Sequence, residues 1–226
     1  DFQAVVTAVD PEARAVLLDR SAFYPGGGGQ QPDAGLLDWQ ATRLPVERAR
    51  KAPDGIWHML AADAPLPPVG AQVRGQIDWS RRYMLMRTHT AMHILCGVVF
   101  RDYGALVTGG DMEPLRGRMD FEFESLTADL VNVIESAVNR EVAAARPVRV
   151  AILPREEAFL IPDLIRTRIN LLPPEISHIR TIELVGLDLQ ADGGTHVGNT
   201  AEVGRIRVVD YKSKGRINKR IYVELD

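Results

Sequence analysis

Cysteine is almost absent from this chain of 226 residues. Cys96 stands alone, so no internal disulfide can form and a disulfide-stapled secreted scaffold is excluded. No apolar run approaches the roughly 18–20 residues that cross a bilayer, so no membrane partner is expected. The opening DFQAVVTAVD has no basic region ahead of an apolar core and does not read as a signal peptide. It also has no initiating Met, so the chain is expected to be trimmed, and a soluble cytoplasmic protein is the expected class. A large net charge is missing too. The balance of 27 basic and 30 acidic residues gives −3, which argues against a protein that coats nucleic acid non-specifically. What is present is a composition near the globular average, 46% hydrophobic and 25% charged, which excludes disorder as a description of the whole chain. The length suits one large domain or two small ones.

Two halves differ in pattern. Residues 1–80 read as short strands broken by turns: FQAVVTAVD, ARAVLLD, DAGLLDW, TRLPVERAR, IWHML and AQVRGQIDW, with ADAPLPPVGA as a loop. That spacing predicts a small barrel or folded sheet. Near Ser80 the period changes. RRYMLMRTHTAMHILCGVVFRDYG has no proline and only Gly97 inside it, which predicts a long helix with Ser80 as N-cap and Gly104 as its stop. GRMDFEFES alternates as a strand does, and TADLVNVIESAVNREVAAAR predicts a second helix opened by Thr127. PVRVAIL and HIRTIELVGLDL are expected strands, REEAFL and the PDLIRT stretch short helices, and GRIRVVDY with RINKRIYVEL a terminal hairpin turned at Lys214-Gly215. The expected architecture is α+β: a β-rich, barrel-like domain over 1–80 and a larger α/β domain over 81–226 with an antiparallel sheet.

The charge is unevenly spread. From Arg205 onward, seven basic and three acidic side chains give +4, leaving −7 for the rest. A basic patch of this kind can hold a phosphate backbone, and a strand pair whose lysines guard an edge gives the same signature.

Five histidines carry most of the chemical signal. His89 and His93 are four apart in the predicted helix, which places both rings on one face, one turn apart. Two imidazoles so placed can reach one zinc ion; two buried, hydrogen-bonded histidines would share the spacing. His196 lies in the glycine turn ADGGTHVGNTAEVG, with Asp192 four residues before it. Three nitrogens and the Asp192 oxygen would satisfy tetrahedral zinc, with water as the substitute for a weak carboxylate. Cys96 is about two helical turns, ~10 Å, from His89 and reads as a small buried apolar residue. His58 reads as structural, and His178 has no assigned role. Gly26, Gly27, Gly28 and Gly29, followed by Gln30, form no phosphate loop, because no Gly-Lys-Ser/Thr follows. Four bare glycines allow a ligand close to backbone amides, or simply make a turn between strands.

Four segments combine these pieces: RSAFYPGGGGQQPDAG, RTHTAMHIL, LIRTRINLLP and GLDLQADGGTHVGNTAEVGRI. Together they resemble the free-standing alanyl-tRNA editing proteins called AlaX, relatives of the editing domain of alanyl-tRNA synthetase. The resemblance implies a trans-editing hydrolase that deacylates tRNA(Ala) mischarged with serine, and also glycine, at a Zn2+ site. It matches His89, His93 and His196 to family ligands, and puts Asp192 where the family carries cysteine. It further implies Gln30 and Thr90 as candidate catalytic side chains, Gly26 to Gly29 and Thr195 as substrate contacts, and the acceptor stem and 3′-terminal adenosine of tRNA(Ala) as the partner. Arg81, Arg82, Arg87 and the C-terminal hairpin are the expected phosphate contacts. The alternatives are editing of another mischarged tRNA such as seryl-tRNA(Thr), a tRNA-binding module without catalysis, and a zinc-binding structural protein.

Overall fold

The computed structural model describes residues 1–168 and 172–226. Residues 169–171, in the middle of LIRTRINLLP, lie outside the described residues. The chain divides into two compact units, Asp1–Tyr83 and Met84–Asp226. Its class is α+β, with antiparallel sheets and few helices.

The first unit is a closed six-stranded barrel. Its strands are β1 (Phe2–Asp10), β2 (Ala15–Leu18), β3 (Gly35–Trp39), β4 (Thr42–Ala52), β5 (Gly55–Leu60) and β6 (Gln72–Ile77), in the order β1-β2-β5-β4-β3-β6. Antiparallel pairing of β1 with β6, from Phe2↔Gly75 to Val5↔Gln72, closes the ring and removes both sheet edges. Alternation selects the interior. Ala4 and Val6 of β1, Leu44, Val46 and Ala49 of β4, and Val73 of β6 point into one core with Phe23 and Leu37. A bulge between Val46 and Arg48 restores the inward phase for Ala49.

His58 belongs to this core and is fully buried. Its Nδ1 lies 3.3 Å from the Val16 carbonyl and its Nε2 2.7 Å from Ser21 Oγ, so a neutral ring donates to the first and accepts from the second. Burial pushes its pKa down to about 4, against a smaller upward pull from the Val16 carbonyl. The folded value is below the unfolded one of about 6.5, so the neutral ring stabilises the fold above pH 6.5, and that contribution fades as pH falls towards 4. The shift corresponds to about 3 kcal/mol. Urea unfolding at pH 7 and pH 4.5 should show wild type losing appreciably more stability than His58→Gln. Equal losses would show that His58 does not set this acid sensitivity.

Helix α1 (Trp79–Tyr103) begins in the first unit and continues into the second, where it is followed by β7 (Val107–Glu113), β8 (Arg116–Glu122), α2 (Ala128–Ala143), β9 (Val148–Pro154), α3 (Arg155–Ala158), β10 (His178–Leu184), β11 (Asp188–Ala191), a 3₁₀ turn (Thr200–Val203), β12 (Ile206–Ser213) and β13 (Asn218–Leu225). Two antiparallel sheets result, β12-β13-β8-β7 and β11-β10-β9. The middle of α1 is buried all round, from Thr88 to Val99. Two glycines allow its close approach to the sheets. A Cβ on Gly117 of β8 would lie 2.9 Å from the Met92 thioether, and one on Gly97 of α1 would lie 2.9 Å from Leu187 and 3.0 Å from Asp188. Against β12, α2 lends side chains to backbone: Asn139 exchanges hydrogen bonds with the N–H and C=O of Ile206, and Glu135 accepts from the Val208 N–H.

Several expectations change. Asp78, not Ser80, caps α1: its carboxylate accepts from the Arg81 N–H at 3.0 Å, and the helix already begins at Trp79. Gly104 ends the helix as expected, with φ +65° and its N–H on the Phe100 carbonyl. Thr127 caps α2 through its side-chain oxygen. HIRTIELVGLDL is not one strand; Gly186, at φ +75°, turns it into the β10–β11 hairpin. The PDLIRT stretch is not helical. Pro162 and the positive φ of Asp163 break it, and Arg166 and Arg168 then bond the Val107 backbone in an extended run. REEAFL contributes only the single turn of α3. Strand β7 was not anticipated, because Gly109 and Gly110 dilute its alternation. No described helix is long and apolar enough to cross a membrane.

Candidate metal centre

The i, i+4 spacing on α1 does what its geometry allows. His89 and His93 project from one face, with ring centroids 5.3 Å apart. The turn after β11 brings His196 against both, its ring 4.3 Å from His89 and 4.7 Å from His93. Asp192 completes the group, and one ligand atom from each of the four lies within 4.8 Å of the others. Asp192 Oδ2 is 3.4 Å from both His89 Nε2 and His196 Nε2. Bonds of 2.0–2.2 Å around a tetrahedral ion put its donors about 3.4 Å apart, so two edges of that polyhedron are already present.

Three of the four are held from behind. His196 Nδ1 is 3.2 Å from Thr90 Oγ1, which also accepts from the Val197 N–H. His93 Nδ1 is 3.0 Å from Asp188 Oδ2. Both oxygens of Asp192 accept from the Gly194 N–H at 3.0 Å, while its backbone is tied to Arg180 through Asp192 N–H to the Arg180 carbonyl and Arg180 Nη1 to the Asp192 carbonyl.

Electrostatics fit the same purpose. Burial and the neighbouring His196 hold the His89 pKa well below its ordinary value, against the pull of Asp192. Burial lowers His196 to about 4 despite its bond to Asp192. Burial also disfavours charge on His93, but the hydrogen bond and charge of Asp188 outweigh it and raise that pKa. Burial alone would raise the Asp192 carboxyl; its interactions with His89, His196 and His93 hold it far below the usual carboxylate range. Neutral His89 and His196 have lone pairs to give, and ionised Asp192 supplies the negative charge. The donor set fits a divalent cation of zinc type.

The remaining expected residues are placed as follows. Thr90 is fully buried, with its hydroxyl oxygen 3.2 Å from His196 Nδ1. Thr195 is half-buried beside His196. Cys96 stays outside the donor set, accepting from Gln190 Nε2 at 3.3 Å, its thiol pKa pushed up by burial. In the barrel unit, Gly28 and Gly29, at φ +57° and +84°, make the central pair of a two-residue hairpin closed by mutual bonds between Gly27 and Gln30. Only residues tolerant of positive φ build such a turn. Gly27, Gly28 and Gly29 are exposed; Gln30 is buried. This turn is braced by Asp33, which is fully buried, accepts from the Tyr24 N–H at 2.7 Å and pairs with the Arg82 guanidinium.

That pairing alters the expected phosphate contacts. Arg82 is committed to Asp33 and the Ala22 carbonyl, and Arg87 to the carbonyls of Val203 and Asp226, so both serve internal bonding. Arg81 bonds Gln31 Oε1 at 2.6 Å. In the C-terminal hairpin, Lys214 and Arg216 are exposed at the turn, whereas Lys219 turns back on the carbonyls of Gly215 and Arg216. Sequence reasoning overlooked Asp33 and Asp188. The signal for Asp188 was parity: Asp188 and Gln190 alternate along the strand that leads to Asp192, facing the same side.

Residues 1–81 match the family of class II (A) tRNA synthetases, and residues 179–222 match the second additional domain of threonyl and alanyl tRNA synthetases. The alanyl-tRNA editing protein AlaX-M of Saccharolobus solfataricus is 38% identical over 226 residues, covering 98% of this chain and 92% of that protein. AlaX-M of Methanosarcina acetivorans is 34% identical, covering 100% of this chain and 94% of its own. The alanine–tRNA ligase of Thermofilum pendens is 36% identical over 94% of this chain, a match that takes in 23% of the ligase. With near-complete coverage in both directions, the chain belongs to the AlaX-M family of alanyl-tRNA editing proteins.

Proposed function

We propose that this protein is a cytoplasmic trans-editing hydrolase that deacylates tRNA(Ala) mischarged with serine, and with glycine, using zinc held by His89, His93, Asp192 and His196. The single observation that carries the reading is that donor set: three imidazoles and one carboxylate, with one ligand atom from each within 4.8 Å of the others. A dication there would supply a Lewis acid for the ester carbonyl and a lowered pKa for water. The chain's own part is positional. Thr90 keeps the Nε2 edge of His196 towards Asp192, and the Gly194 N–H fixes the carboxylate. Thr195 is the proposed polar contact for the aminoacyl group. The exposed amides of the glycine turn, with Gln30 as its closing residue, are the proposed contact for the terminal adenosine, because bare glycine backbone admits a nucleoside closely. Lys214 and Arg216 are the proposed acceptor-stem phosphate contacts.

The test compares hydrolysis of seryl-, glycyl- and alanyl-tRNA(Ala) and seryl-tRNA(Thr), with and without a chelator. Seryl- and glycyl-tRNA(Ala) should be deacylated, alanyl-tRNA(Ala) spared, and activity lost on chelation and restored by zinc. Hydrolysis of seryl-tRNA(Thr) in preference would assign another substrate. Binding of tRNA(Ala) without hydrolysis by the zinc-loaded protein would sink the catalytic reading.

A further inference from the structure

We propose that Asp188 is a positioning residue for this site: it fixes the tautomer and ring orientation of His93 so that Nε2 is the nitrogen offered to the metal. The inference rests on the metal reading above. Asp188 is outside the four-donor set, and its side chain has no solvent exposure. A carboxylate placed so deep is costly unless its oxygens are occupied. They are. Oδ2 accepts from His93 Nδ1 at 3.0 Å and from Gln190 Nε2 at 2.6 Å, and Oδ1 faces Arg166 Nε at 3.4 Å. Arg166 is itself fixed, its guanidinium 3.7 Å from the centroid of the Phe100 ring.

The direction of the His93 bond decides the chemistry. An imidazole that gives its Nδ1 proton to a carboxylate keeps its lone pair on Nε2, the nitrogen on the far side of the ring. Partners of this kind set tautomer, orientation and basicity of metal-binding histidines. The backbone is shaped for the same contact. Gly97 is one turn beyond His93 on α1, and the missing Cβ is what lets Leu187 and Asp188 come so near the helix. A methyl there would force the carboxylate away from His93 without touching any of the four donors.

The test uses the full chain and zinc itself. Competition with a chromophoric chelator measures zinc affinity for wild type, Asp188→Asn, Asp188→Ala and Gly97→Ala, and ¹⁵N spectra of the zinc-loaded protein identify which His93 nitrogen carries the proton. Wild type should show a proton on Nδ1 and metal on Nε2. Asp188→Ala should bind zinc about 10–100-fold more weakly. Asp188→Asn, which keeps an acceptor without the charge, should fall between, and Gly97→Ala should weaken binding in the same direction. Circular dichroism separates weak binding from failure to fold, and if Asp188→Ala does not fold, Asp188→Asn and the wild-type spectrum decide. Zinc affinities within twofold of wild type in every folded variant, or metal on Nδ1 of His93, would overturn the inference and leave the editing reading standing. A wild-type protein that binds no zinc would remove both.

Discussion

His196→Ala is expected to abolish editing: hydrolysis of seryl-tRNA(Ala) should fall about a thousandfold or more. A Lewis acid at the reacting ester contributes several kcal/mol to the transition state, and ~4 kcal/mol corresponds to a factor of about a thousand. The imidazole lies with its Nε2 3.4 Å from Asp192 and its ring against both helix histidines, so its removal deletes a donor and opens a gap between the other three. His89→Ala should behave alike, since its Nε2 sits at the same distance from Asp192. Zinc affinity measured alongside should fall with activity, while the far-ultraviolet circular dichroism stays that of wild type. An informative companion is Asp192→Cys. Thiolate is a softer and stronger zinc ligand than carboxylate, so that variant should retain zinc at least as tightly and should still hydrolyse the ester. A folded His196→Ala protein that deacylates seryl-tRNA(Ala) within tenfold of wild type would sink the metal-dependent mechanism.

Asp33→Ala is expected to be the most damaging single change in the barrel unit, at about 3–5 kcal/mol, the range for removing one partner of a buried ion pair. Asp33 has no exposure, and the Arg82 side chain has little. The substitution would leave a guanidinium facing a void and would remove the carboxylate that accepts from the Tyr24 N–H. Against a typical total of 5–15 kcal/mol, that brings the unit close to its unfolding threshold. The paired replacement Asp33→Leu with Arg82→Leu should cost less than Asp33→Ala alone, because no charge is left without a partner. Urea unfolding of the three proteins decides the matter. A loss below 1 kcal/mol for Asp33→Ala would mean that water or another side chain takes over the arginine.

The residues that announced themselves in the sequence did so through local periodicity. Short strand-like runs between turns exposed the six barrel strands, and the unbroken run after Ser80 exposed α1 with its two histidines on one face. His196 and Asp192 stood out through the resemblance of ADGGTHVGNTAEVG to the family's ligand turn. What local pattern could not show was any relation closed over a distance. The β1–β6 pairing that completes the barrel joins residues some seventy positions apart. The bonds from Asp33 to Arg82 and from Asp188 to His93 span 49 and 95 positions, and neither carboxylate has a neighbour in sequence that betrays its partner. The contact of Thr90 Oγ1 with His196 Nδ1 spans 106 positions in the same way. The arginines of α1 show the same limit: Arg82 and Arg87 look like phosphate contacts until the carbonyls and carboxylate that occupy them are in view.

The side chains that α2 lays along β12 have a bearing on how the protein behaves when crowded. A sheet margin normally offers unmet amides and carbonyls to any extended polypeptide that collides with it, and growth by accretion starts there. At Ile206 the N–H and C=O are already engaged by Asn139, and at Val208 the N–H is engaged by Glu135. The rest of that margin carries Asp210 and Lys212, which pair with each other and keep their hydration. A stray strand arriving at β12 therefore finds engaged backbone groups at one end and a hydrated ion pair at the other.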